Sequence, residues 1–181
     1  ALFCTEKGIA LADEAAVVAA LADLQMKIVP EEGGQRIFLN GRDVTAEIRT
    51  AEIGKGASTV AAYRQVRARM VELQQEMARE HSVIMDGRDI GTHVLPNADV
   101  KVFLTADAHV RALRRYEEFT AKGINCTLEN VEREVIERDE RDMNRAIAPL
   151  KQAEDAVRVD TSQMNIDEVV NCLRQLILDR I

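Results

Sequence analysis

Arg88 stands between two aspartates and two glycines in the run Asp86-Gly87-Arg88-Asp89-Ile90-Gly91-Thr92. A guanidinium presents a fork of N–H donors that matches a phosphate, and a carboxylate only accepts, so Arg88 can grip an anion while Asp89 takes a hydrogen bond from a donor group. Flanking glycines let a backbone approach a ligand closely. A polar turn closed by its own Asp–Arg pair is the plainer reading of the same residues. A second group lies in Glu137-Arg138-Asp139-Glu140-Arg141-Asp142-Met143-Asn144-Arg145. On a helix, separations of four and three residues place Arg138, Asp142 and Arg145 on one face, and an acid between two arginines suits a ribose hydroxyl beside a phosphate. A solvated helix with ordinary ion pairs would have the same composition. Third come Arg111, Arg114 and Arg115. On a chain of net negative charge they point to a polyphosphate, a surface stripe being the alternative. Together the three groups point to phosphoryl chemistry, in which a protein mainly positions the reactants and neutralises charge.

Such residues need a frame. Ligands of open parallel sheets bind beyond the carboxyl ends of the strands. Residues 82–85, 100–105 and 156–160 are short apolar or β-branched runs that read as strands, with helices predicted over 108–121, 128–143 and 166–180. This alternation predicts an α/β fold, a parallel sheet flanked by helices, with Arg88 and Asp89 just beyond one strand and the arginine cluster beyond the next. In the first half, Asp13 and Glu14 precede Val17, Val18, Leu21 and Leu24, which predicts a helix over 12–25; no element is predicted before it. Residues 26–29 and 36–39 alternate between breaks at Pro30, Gly33-Gly34 and Asn40-Gly41, the composition of a small antiparallel sheet. Val60, Val66, Met70, Leu73 and Met77 then predict one long helix over 60–80.

Composition sets the bounds. At 181 residues, 46% apolar and 30% charged, the chain has the size and apolar content of one folded domain, with room for a small insert. Its 24 basic and 31 acidic residues give a formal net charge of −7, which argues against nucleic acid as a partner. No apolar run has the length of a membrane span and no leader pattern opens the chain, so a cytoplasmic protein without a membrane partner is expected. Cys4, Cys126 and Cys172 are scattered, and His81, His93 and His109 form no metal-binding spacing, so no protein metal site is expected.

The chain resembles the bacterial cytidylate kinases, the CMP kinases of the nucleoside monophosphate kinase group with the P-loop fold. The matching stretches are Asp43-Val44-Thr45-Ala46-Glu47-Ile48-Arg49-Thr50, Ala57-Ser58 with Val66-Arg67, the run from Asp86 to Thr92, and Glu137 to Arg145 continuing to Ala148-Pro149-Leu150. The resemblance covers essentially the whole chain. It implies transfer of a phosphoryl group from ATP to CMP or dCMP, with Mg²⁺. By position it implies cytosine contacts from Ser58, Arg67 and Asp89, ribose-side contacts from Arg138 and Asp142, and phosphate-side contacts from Arg88 and Arg145. It places a lid at about 110–125, where Arg111, Arg114 and Arg115 would meet the ATP phosphates, and a monophosphate-binding insert at 26–59, with the kinase core in 1–25 and 60–181. The chemistry agrees: an acid facing the exocyclic amine of cytosine, and an arginine facing its acceptors, leave uracil with unpaired partners. The rival is a non-catalytic nucleotide-binding or interaction protein that retains only the CMP site.

The 181 residues contain no G-x-x-x-x-G-K-[ST] loop. In the resembling family that loop and its strand precede the point where this sequence begins. The residues as written are therefore expected to lack kinase activity alone, an expectation that CDP formation near the rate of a full-length homologue would overturn. A preceding segment or a partner chain is expected to complete the sheet, and the full-length molecule is expected to be a monomer.

Overall fold

In the amino-terminal part, α1 (Leu2–Glu6) buries Phe3 and Cys4, and α2 (Glu14–Ala20) starts where the Asp13 carboxylate accepts the amide N–H of Ala16 at 3.1 Å. The computed structural model describes residues 1–180, apart from the side chain of Ala51. It divides into two units, Ala1–Val83 and the residues from Ile84 onward. Within the first unit, β1 (Met26–Glu31) and β2 (Gly34–Leu39) pair antiparallel, and β3 (Arg42–Asp43) adds to β2. Asn40 and Gly41 turn the chain between β2 and β3 with φ of 48° and 82°. Two successive positive φ values are what a tight hairpin turn needs, which is why Asn-Gly stands there.

Two expectations are corrected in this unit. An element does precede residue 12, namely α1, which is five residues long and carries no side-chain cap for a sequence pattern to reveal. The expected single helix over 60–80 is two, α3 (Ala51–Val60) and α4 (Arg64–Glu80). Thr50 caps α3 early by accepting the N–H of Ile53 at 3.3 Å, and the Tyr63 hydroxyl, bonded to the Leu11 carbonyl at 2.8 Å, fixes the corner before α4. Val60 and Val66 are buried in one cluster with Phe3, Cys4, Val17 and Ala20, so the apolar period runs through the break and hides it. Gly56 is what lets α3 lie so close: a Cβ there would stand 2.7 Å from Leu11 Cδ1.

In the second unit β4 (Val102–Thr105) and β5 (Val157–Asp160) pair in parallel, Val102 opposite Val157 and Thr105 opposite Asp160. Helix α5 (Ala108–Ala121) packs on α6 (Leu128–Asn144) through Ala112, Val131 and Val135, and α7 (Ile166–Leu178) begins with a capping box of Asn165 and Glu168. Thus the α/β class with a parallel sheet and a small antiparallel insert is the one observed. The strand expected over 82–85 is not formed. An apolar run becomes a strand only where a ladder partner lies alongside, and none does among the described residues, where Ile84 is 92% exposed. No helix among the described residues is long and apolar enough to cross a membrane.

Candidate active site

The run Asp86 to Thr92 passes into a single π-helical turn, Ile90–Val94. The Asp89 carbonyl accepts the N–H groups of His93 at 2.9 Å and Val94 at 3.1 Å, and the Ile90 carbonyl accepts that of Leu95 at 2.7 Å. Turns of this wide kind concentrate at functional sites. Here it holds Arg88 and Asp89 against the last turn of α6, where two ion pairs cross between the segments. Arg88 Nε donates to Asp142 Oδ2 at 3.0 Å, and an Arg145 terminal nitrogen lies 3.3 Å from Asp89 Oδ1. Arg138 Nε stands 3.9 Å from the same Asp142 oxygen. Both carboxylates are mostly sheltered, Asp89 with 12% and Asp142 with 20% of the side chain exposed.

Asp142 does lie between two arginines, but they are Arg138 and Arg88, not Arg138 and Arg145 as one continuous helical face predicts. The reason is the end of α6. Arg145 is its C-cap, extended at φ −64° and ψ 141°, and its Nε donates to the Ala148 carbonyl, while the Leu150 N–H returns to the Asp142 carbonyl at 2.8 Å. Ala148 holds a φ of 47°, a conformation that costs a residue with a Cβ. The turned-back segment carries the Arg145 guanidinium to Asp89.

The arginines of α5 are each engaged by neighbouring groups of the second unit. Arg111 grips both oxygens of Asp139, at 3.0 and 2.6 Å, and its Nε donates to the Ala106 carbonyl at 3.0 Å. One Arg114 terminal nitrogen donates to the carbonyls of Thr161 at 2.7 Å and Met164 at 2.9 Å, tying α5 to the chain leaving β5. Arg115 lies over the Phe119 ring, 5.0 Å from its centre, with its Nε buried and without a hydrogen-bond partner. Asp139 was not singled out by the sequence pattern, although its place within the charged run of α6 offered a signal. Ser58 and Arg67 belong to the first unit, on α3 and α4, and the Ser58 hydroxyl donates to the Gly54 carbonyl at 3.2 Å.

Two further residues escaped the sequence reading. Lys101, 8% exposed, sends its ammonium to the Asp155 carboxylate at 2.6 Å and to the Pro96 carbonyl. The hydrogen bond from Lys101 holds the Asp155 carboxyl below its ordinary range. A carboxylate lowered in this way stabilises the fold fully above its unfolded pKa, and that contribution is lost as pH falls through the lowered value. The gap in melting temperature between the parent and Asp155→Asn is therefore expected to hold at neutral pH and to close on acidification below about pH 4. A gap that stays constant down to about pH 2 would count against the pairing.

Among the described residues, no group of three or more His, Cys, Asp or Glu side chains is placed to hold a metal ion. The Mg²⁺ implied by the resemblance thus finds no carboxylate set among the described residues.

A family model described as cytidylate kinase matches residues 1–179. The cytidylate kinase of Ligilactobacillus salivarius (strain UCC118) is 49% identical over 172 residues, 95% of this chain and 77% of the relative. That of Leuconostoc mesenteroides is 47% identical over 180 residues, 99% of this chain and 80% of the relative. That of Geobacillus sp. (strain WCH70) is 43% identical over 176 residues, 97% and 79% respectively.

Proposed function

That the chain belongs to the cytidylate kinase family is the premise from which we propose its function: transfer of the γ-phosphoryl group of ATP to CMP or dCMP, giving CDP or dCDP and ADP. No covalent intermediate is required. Rate comes from holding the acceptor phosphate in line with the donor while positive side chains offset the charge that develops. The non-catalytic rival is not favoured, because the relatives that match most of the chain are kinases.

The observation that carries the site assignment is the crossed pair of Arg88 with Asp142 and Arg145 with Asp89. Each arginine is already oriented by a carboxylate, so a fork of donors stands ready for a phosphate without first being ordered. In this reading Arg88 and Arg145 take the CMP phosphate, Arg138 and Asp142 the ribose side, and Asp89, Ser58 and Arg67 the cytosine. Residues 26–59 form the monophosphate-binding insert of a core made by 1–25 and 60–181. Residues 110–125 form the lid, whose Arg111, Arg114 and Arg115 turn to the ATP phosphates on closure. The protein acts in the cytoplasm.

Calorimetric titration tests the acceptor site: saturable binding of CMP, tighter than UMP, is expected, and absence of CMP binding overturns the assignment. ADP release in the presence of ATP and CMP separates the kinase from a protein that only binds.

A further inference from the structure

We propose that Lys101 is a positioning residue that ties the loop carrying Arg88 and Asp89 to the loop that follows Arg145, and so sets where Asp89 stands toward the base. The inference rests on the assignment of Asp89 to base recognition.

Lys101 immediately precedes β4, and its carbonyl accepts the Val157 N–H at 2.9 Å, so its backbone is fixed by the sheet. From that base the side chain reaches two places. Its ammonium meets the Pro96 carbonyl, just past the π-helical turn, and both oxygens of Asp155, at 2.8 and 2.6 Å. Asp155 lies on the stretch that runs from the end of α6 to β5, the same stretch that Arg145 opens. On the way, the methylenes of Lys101 fill the space beside Gly91: a Cβ built there would stand 3.3 Å from Lys101 Cδ and 3.6 Å from Cγ. Gly91 is two residues beyond Asp89, within the turn whose amides converge on the Asp89 carbonyl. One side chain thus packs on the middle of the turn, caps its exit and anchors the opposite loop.

Burying an ammonium carries a desolvation cost, and an apolar side chain of similar length would fill the same space without it. The Asp155 side chain, 64% exposed, meets the charge from the solvent side. What the ammonium adds over a methionine is therefore direction, since it fixes two loops at a defined distance from the sheet.

Calorimetric titrations of CMP and UMP give the ratio of their affinities for the parent, Lys101→Met, Gly91→Ala, Asp89→Asn and the double variant Lys101→Met/Asp89→Asn. Lys101→Met keeps the packing on Gly91 and removes the tie. Gly91→Ala keeps the tie and pushes on its stem. Each is expected to lower the preference for CMP about three- to tenfold, and in the Asp89→Asn background Lys101→Met is expected to change it no further, because the two act through one group. If Lys101→Met does not fold, Gly91→Ala decides on the same scale. Asp89→Asn lowering the ratio while both of these leave it unchanged, or Lys101→Met acting in full on top of Asp89→Asn, overturns the positioning role. Asp89→Asn leaving the ratio unchanged removes the base-reading assignment and this inference with it. A lowered melting temperature with an unchanged ratio marks Lys101 as structural only and also overturns the proposal.

Discussion

Asp89→Asn is expected to lower the preference for CMP over UMP by one to two orders of magnitude, about 1.4–2.8 kcal/mol of differential binding. Asp89 is 12% exposed, so a partner lost there is poorly replaced by water. An ionised carboxylate accepts only, which suits the exocyclic amine of cytosine. An amide presents a donor as well, and that donor can meet the carbonyl that uracil has in the same place. The substitution should therefore weaken CMP and strengthen UMP relative to the parent. The pair with Arg145 is lost as a charge pair in the same variant, so some loss common to both nucleotides is expected beside the change in ratio. Titration of both nucleotides into both proteins measures the two effects separately. Equal loss for CMP and UMP would place Asp89 in the phosphate-side network instead of at the base.

Arg88→Ala is expected to weaken every nucleoside monophosphate by a similar factor, about ten- to a hundredfold, because a phosphate contact is blind to the base. Removing Arg88 also leaves Asp142 with Arg138 alone at 3.9 Å, so the ribose side loosens for all nucleotides alike. Arg88→Lys keeps the charge and loses the fork, and is expected to recover only part of the loss. Factors for CMP and UMP that differ severalfold would show that Arg88 reads the base and not the phosphate.

Where the sequence was legible, a short-range signal was strong. The helix predicted over 108–121 has the bounds of α5, where the Asp107 carboxylate caps the first turn by accepting the N–H of His109. The hairpin followed from Asn40-Gly41, whose positive φ values few other residues would hold. Arg138 and Asp142 meet because four residues are one helical turn. What was missed depends on contacts between distant parts of the chain. The partner of Arg88 is 54 residues away, as is that of Lys101, and no local pattern encodes either. The π-helical turn at Ile90–Val94 read as a glycine-flanked loop because its hydrogen bonds start at Asp89, not at a recognisable cap. Arg145 was placed on the helix face by its three-residue spacing from Asp142, although that spacing carries past the end of the helix, which stops at Asn144.

The grip of Arg111 has a mechanical meaning. One guanidinium holds the Ala106 carbonyl, where the chain leaves β4, together with the Asp139 carboxylate of α6. Helices α5 and α6 are therefore riveted to each other and to the sheet near the same point, while the connection at residues 122–127 lies at the far end of both. The stiffness of the pair along its length is set by Ala112, Val131 and Val135 packed between the two helices.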